Sequence, residues 1–410
     1  MITSRERVMT AVDHREPDRV PIDLGGHRSS GMMAIAYHRL KQHLGITSGD
    51  IYVYDVVQQL AIIEPEVLDR FGVDVIELGR GFAQRPEDWH DWVLPDGMPC
   101  KIPAHIHPVR VGDDWHVYHE DGTLIAIQKA GCLYFEQTCH PLAESDEQDF
   151  ADLDSPLSKV MWSALGSPPA PIGYDEGGLR KLAEGARALR ANTDRAIIGL
   201  FGGNLLELGQ FLFRNDNFYL LLAGEPRRAH RFLDAAVEMH LANLERFLGA
   251  VGPYIDIIMF GDDLGMQTGP QISPRMYAEF FQPREKIMWG RAKELADVKV
   301  MLHSCGGLYP LIPGLIDAGL DILQPIQTTC ADMEPERLKR EFGRALCLWG
   351  GGSNTRDVLP HGTPQDVAED VRRRVEVLAP GGGFVFQQIH NIMADVPPEN
   401  VVAMLEAVNP

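Results

Sequence analysis

The chain has 410 residues, of which 45% are apolar and 23% charged, an ordinary globular balance with ample material for a large core. Its formal net charge of −20 argues against nucleic acid as a partner, because phosphate binding needs clustered Lys and Arg. The same balance disfavours an anionic membrane surface, although a local arginine can still dominate a small pocket.

The N-terminus, Met1-Ile2-Thr3-Ser4-Arg5-Glu6-Arg7, carries no apolar signal-peptide core. No later apolar run approaches the ~20 residues that span a bilayer. Six cysteines spread over the chain are too sparse for a disulfide scaffold, so a reducing cytoplasm is the expected location. Short β-branched and apolar runs then alternate with helical stretches, the pattern of parallel βαβ units. Strands are predicted at Val20–Leu24, Val73–Leu78, Ala196–Phe201, Ile255–Phe260, Val298–His303, Ile322–Ile326, Ala345–Trp349 and Phe384–Gln388. Eight such strands joined by helices predict an α/β fold, a (β/α)8 TIM barrel, formed by residues 1–410 as a single domain. Residues 86–141 break the pattern. Trp89–Trp92 and Trp115–Tyr118, with Asp96-Gly97 and Asp121-Gly122, predict a β-rich insertion of short antiparallel strands and Asp-Gly turns. That insertion either lines a substrate entrance or is an exposed meander used for packing or dimerisation. A helix is predicted over Pro364–Leu378, capped by Thr363, with Val367, Val371 and Val375 on one stripe.

Most strands end in Gly and polar residues, which in a barrel form the catalytic-face loops. The sharpest signal is His303-Ser304-Cys305-Gly306-Gly307. Side chains two apart on a strand share a face, so His303 and Cys305 can converge as half of a tetrahedral zinc site. A packed Cys beside a structural His is the plainer alternative. His390, after the last strand, is the best third ligand, against a loop-capping or substrate-binding role; Cys330 and Cys347 are weaker candidates. Asp262 and Asp263 can act as acid and base, anchor a cation or orient a metal-bound imidazole, yet an Asp pair there is also an ordinary helix cap. Candidate substrate contacts are Arg28, able to clamp a carboxylate or phosphate, together with Tyr54, Asn204, Gln267, Gln327 and Gln388. Glu207, Gln324 and Asn354 are further polar residues at strand ends.

Several stretches resemble the uroporphyrinogen-decarboxylase-like superfamily over nearly the whole chain. They are Ser4–Val8 with Arg15–Pro21, Gly261–Gly265, Ile272–Tyr277, His303–Gly306 and Asp395–Asn400. The resemblance implies a TIM barrel with its site at the C-terminal strand ends. True porphyrin decarboxylases grip substrate carboxylates with two arginines in the segment that here reads Leu24–Ser30, with Arg28 alone. At the site the chain is closer to the zinc-dependent corrinoid/coenzyme M methyltransferases, in which H-x-C supplies two zinc ligands. Their third ligand is a later Cys, whose place is taken here by His390.

The expected activity is therefore zinc-dependent transfer of a methyl group between a corrinoid or small methylated donor and a thiol or pterin acceptor. Rival expectations are a metal-free carboxy-lyase acting on a tetrapyrrole or other carboxylate, and a cobamide- or tetrapyrrole-binding accessory protein. Expected partners are a small-molecule substrate, a corrinoid protein and a second copy of the chain, with neither nucleic acid nor membrane.

Overall fold

The computed structural model describes residues 2–409. Seven of the short apolar runs form one parallel sheet in sequential order: β1 (Val75–Glu77), β2 (Ala196–Gly202), β3 (Ile257–Gly261), β4 (Lys299–His303), β5 (Ile322–Gln324), β6 (Cys347–Trp349) and β7 (Phe384–Val385). The sheet curls, and helices follow or precede each strand, so the architecture is α/β and TIM-barrel-like. Alternate residues face opposite ways, and both faces are buried. Ala196, Ile198, Ile257, Met259, Met301, Ile322, Cys347 and Val385 share one inner cluster, which helix Ser4–Val12 plugs with Val8, Ala11 and Val12. Ile197, Ile258, Phe260, Val300, Leu302, Leu323 and Leu348 belong instead to the outer layer under the helices. Each such side chain, fully buried, contributes about 1.5–3 kcal/mol.

The predicted first strand is corrected by the structure. Val20–Leu24 forms no strand; Ile22 makes a single parallel bridge to Phe386. Pro21 has no N–H, and the Ile22 N–H goes to the Asp74 carboxylate at 3.0 Å rather than to a neighbouring backbone. Even so, the segment spans the two sheet edges. Asp23 N–H donates to the Phe386 carbonyl, and Asp74 N–H donates to the Ile22 carbonyl, both at 2.8 Å. Asp74 itself is buried between Arg7 and Arg19, at 2.7 and 2.8 Å. Asp18 binds Arg7 from the other side at 2.7 Å. The motif residues Arg7, Asp18 and Arg19 thus brace the barrel rather than the site.

Between β1 and β2 lie antiparallel strands at Trp89–Val93, Pro99–Pro103, Val109–Val111, Asp114–Tyr118, Leu124–Gln128 and Glu136–Gln137. Gly97 and Gly122 take positive φ in the two Asp-Gly turns. Helix Pro364–Leu378 forms with a Thr363–Asp366 capping box. Among the described residues no helix is long and apolar enough to cross a membrane.

Candidate active site

Strand parity decides which polar residues reach the mouth of the sheet. Met301 points inward, so His303 does too, and Cys305 follows on the same side. At that end the Cys305 Sγ lies 3.7 Å from His303 Nε2, and the His303 and His390 rings lie 5.8 Å apart. One ligand atom from each of His303, Cys305 and His390 falls within 4.8 Å of the others, and this is the one such cluster among the described residues. Cys330 and Cys347 are buried elsewhere.

A chain of amides sets the tautomer of His303. Gln387 Nε2 donates to the Ser29 carbonyl at 3.1 Å, which turns the Gln387 oxygen toward Gln324. Gln324 Nε2 donates to that oxygen at 3.0 Å, leaving its own Oε1 to accept from His303 Nδ1 at 2.7 Å. The proton of His303 is therefore on Nδ1, and the Nε2 lone pair faces the thiol. Burial lowers the pKa of His303, and burial with the neighbouring His303 lowers His390 to about 4, so both rings are neutral. Burial, with the Asp263 and Glu207 carboxylates, raises the Cys305 thiol well above its usual value. A cation at this point would reverse that cost. Two neutral imidazoles and one thiol match a zinc donor set. The observed 3.7 Å separation is close to the ~3.6 Å edge expected from tetrahedral Zn–S and Zn–N bond lengths.

The loop that carries Cys305 is tightly built. Its N–H donates to Asp263 Oδ1 at 2.8 Å, and the Gly306 N–H donates to Gln327 Oε1 at 2.7 Å. Gly306 has φ +100°, and a Cβ there would sit 2.2 Å from the Gly265 carbonyl carbon. Only glycine lets the two loops approach so closely.

His303 and His390 line a cavity of about 720 Å³. Arg28, Asn204 and Asp263 also line it, together with Glu207 and the aromatic side chains of Tyr134, Trp162, Phe201 and Phe211. Asn204 Nδ2 donates to Glu207 Oε2 at 2.6 Å. Burial and the two neighbouring aspartates raise the Glu207 carboxyl well above its usual range. Arg28 donates to Ser167 Oγ at 2.9 Å and lies over the Trp162 ring. His240, a cavity residue that sequence reasoning passed over, is paired with the Asn204 carbonyl at 3.0 Å, and burial lowers it to about 4.

Of the predicted catalytic and substrate-contact residues, five lie outside this cavity. Asp262 has the opposite parity from Asp263: it is 2% exposed, and its carboxylate accepts from the N–H groups of Leu205, Leu206 and Glu207 at 2.7–2.9 Å. It caps the helix Leu206–Phe213. Gln388 likewise has the parity of the outer layer and donates to the Ser30 carbonyl, whereas Gln387 two residues beyond inward Val385 joins the relay. Gln327 holds the Gly306 loop. Gln267 is exposed, and its carbonyl accepts from the Ala331 N–H. Tyr54 lines a separate small chamber. The signal that identifies Gln387 was present in the sequence as strand parity. The Trp162 and Tyr134 walls had no such signal, because a short helix, Met161–Ala164, and a loop bring them there from elsewhere in the chain.

Fold and site together define an α/β barrel-like protein with its polar cluster at the C-terminal strand ends, the arrangement of barrel enzymes. The family model described as uroporphyrinogen decarboxylase (URO-D) matches residues 166–410, and the chain belongs to that family of enzymes. The matched stretch contains His303, Cys305 and His390 but not Arg28. The uroporphyrinogen decarboxylase of Pseudoalteromonas translucida (strain TAC 125) is 30% identical over 189 residues, 45% of this chain and 49% of that protein. That of Pseudoalteromonas atlantica (strain T6c / ATCC BAA-1087) is 23% identical over 329 residues, 76% of this chain and 82% of that protein. The chain spans about half the length of the first of these relatives. A solved structure of a methyltransferase from Methanosarcina mazei superposes with a TM-score of 0.57 at 17% identity, covering 99% of this chain and 98% of that one, a likeness of fold.

Proposed function

We propose that this protein is a zinc-dependent methyltransferase, moving a methyl group between a corrinoid or small methylated donor and a thiol or pterin acceptor. The observation that carries the reading is the convergence of His303, Cys305 and His390 within 4.8 Å, with both imidazoles lining a substrate-sized cavity. Zinc held by these side chains would supply a Lewis-acidic open position, at which an acceptor thiol gives up its proton near neutral pH. Gln324 and Gln387 keep the His303 Nε2 lone pair turned toward that position. Asp263 and Gln327 hold the Cys305 loop. The aromatic walls give the cavity an apolar lining, and Arg28 and Asn204 are placed to orient substrate. The antiparallel segment over residues 86–141 is, in this reading, an insertion that contributes Tyr134 to the cavity and offers a docking face for a corrinoid protein.

The names of the relatives support a second reading, a metal-free carboxy-lyase in which Arg28 grips a carboxylate. Against it, the cavity wall sets one arginine against two aspartates, Asp154 and Asp263, and the Glu207 carboxyl, a poor lining for a polycarboxylate. Zinc content of the purified protein tests the two. About one zinc per chain is expected, lost in Cys305→Ser and His390→Ala, with transfer from methylcobalamin to a thiol abolished by a chelator and restored by zinc. A folded protein that binds no zinc and releases carbon dioxide from a carboxylate substrate would refute the methyltransferase reading.

A further inference from the structure

Beside the large cavity lies a small chamber that the proposed reaction leaves unused. It is walled by Gly25, Tyr54, Glu77, Gly79, Arg80 and Pro168 among others and offers about 20 Å³ to the centre of a water molecule. That is slightly more than the ~10–15 Å³ that one water occupies by this measure. Glu77 ends β1 and is 4% exposed; Tyr54, on the short strand Val53–Asp55, is 8% exposed. The Tyr54 hydroxyl and Glu77 Oε1 are both buried without a hydrogen-bond partner. Two orphaned polar atoms facing one chamber are costly unless something bridges them. The charged and titratable groups around Glu77 are Arg28 and His27 from the loop before it, Arg80 from the turn after it, and Tyr54 and Asp55 from the neighbouring strand. Arg28 and Arg80 stand against Asp55 and Glu77 there, so neither sign of charge dominates strongly. Burial raises the Glu77 carboxyl to about 7, which leaves it able to donate as well as accept.

We infer that this chamber is a built site for one ordered water molecule, which bridges the Tyr54 hydroxyl to Glu77 Oε1 and supports the turn that holds Arg28. The chamber and the large cavity share Pro168 as a wall, and the adjacent Ser167 accepts from Arg28 Nη2 at 2.9 Å. Gly79 lies against the same turn: a Cβ there would meet the Pro168 carbonyl at 2.5 Å. Water, Glu77 and the Ser167-Pro168 turn therefore form a stack behind the arginine. Glu77 and Tyr54 act as positioning residues.

The test needs neither metal nor turnover, so it stands apart from the methyltransferase reading. A crystal structure of the whole chain at pH 6 is expected to show a water within hydrogen-bond distance of both Tyr54 Oη and Glu77 Oε1; an empty chamber would overturn the inference. The sign of the Tyr54→Phe effect is a second arm. If the hydroxyl is an orphan, deleting it raises Tm; if a water bridges it, deleting it strands the water and lowers Tm, by about 1–3 °C for a chain of this size. A rise or no change overturns the site. Infrared difference spectra between wild type and Glu77→Gln at pH 6 are expected to show a carboxylic-acid carbonyl band. An Arg28–Ser167 bond unaltered in the Tyr54→Phe crystal structure would overturn the positioning role.

Discussion

Replacing Gln324 by Leu keeps a side chain of similar size and removes the acceptor for His303 Nδ1. The wild-type bond is short, 2.7 Å, in a part-buried setting, and Gln324 is itself fully buried. Orphaning a buried N–H donor costs about 1–3 kcal/mol. The ring escapes that cost by moving its proton to Nε2 or by turning, and either choice removes the lone pair that faces Cys305. If the proposed zinc site forms, its affinity is therefore expected to fall by about 10–100-fold, equivalent to about 1.4–2.7 kcal/mol, the usual scale for a lost partner of a metal-bound imidazole. The variant also strands the Gln387 amide oxygen, so some loss of stability accompanies the loss of affinity. Competition titration against a chelator of known affinity measures the effect. Nitrogen NMR of the metal-free protein reports the tautomer directly, with the proton on Nδ1 in wild type and no longer held there in Gln324→Leu. Gln324→Glu, which keeps the acceptor, is expected to retain affinity. Unchanged zinc affinity in Gln324→Leu, with the Nδ1 proton still in place, would refute the relay.

Asp262→Ala is expected to destabilise the fold, because the N–H groups of Leu205, Leu206 and Glu207 lose their acceptor and two of those contacts are fully buried, at about 1–3 kcal/mol for each stranded donor. Urea unfolding reads this, and wild-type stability with abolished turnover would instead point to a chemical role. Glu285→Gln is expected to flatten the pH dependence of stability. Burial holds the Glu285 carboxyl at about 8, against its ordinary value of 4.5, with Tyr277 donating to it at 2.5 Å. The native state keeps a proton that the unfolded chain releases, so this contribution is full below about pH 4.5 and is lost as pH rises toward 8, with a slope of about 1.4 kcal/mol per unit. An identical slope in the variant would show that Glu285 ionises normally.

Hydrophobic patterning alone placed the seven parallel strands to within a few residues, two of the antiparallel strands and two Asp-Gly turns between β1 and β2, and helix Pro364–Leu378. These are local matters, decided by a period of two or 3.6 and by turn chemistry. The spacing of His303 and Cys305 was legible for the same reason, since strand parity puts positions two apart on one face. Parity also separates Asp263 from Asp262 and Gln387 from Gln388, but applying it requires knowing which face is the interior, and only the packed sheet reveals that. The failure at Val20–Leu24 is tertiary as well: the Asp74 side chain, 52 residues away, takes the Ile22 N–H that a strand would have used.

The order of apolar and polar residues along this chain determined its strands, its helices and the pairing of an imidazole with a thiol at one strand end. The closed stack of layers decided the rest. It brought His390 beside His303 across 87 residues, turned Asp262 into a cap, sent Tyr54 to a side chamber and gathered aromatic side chains around the cavity. Such contacts join segments far apart in sequence, and their energies depend on burial and on partners that no local window contains.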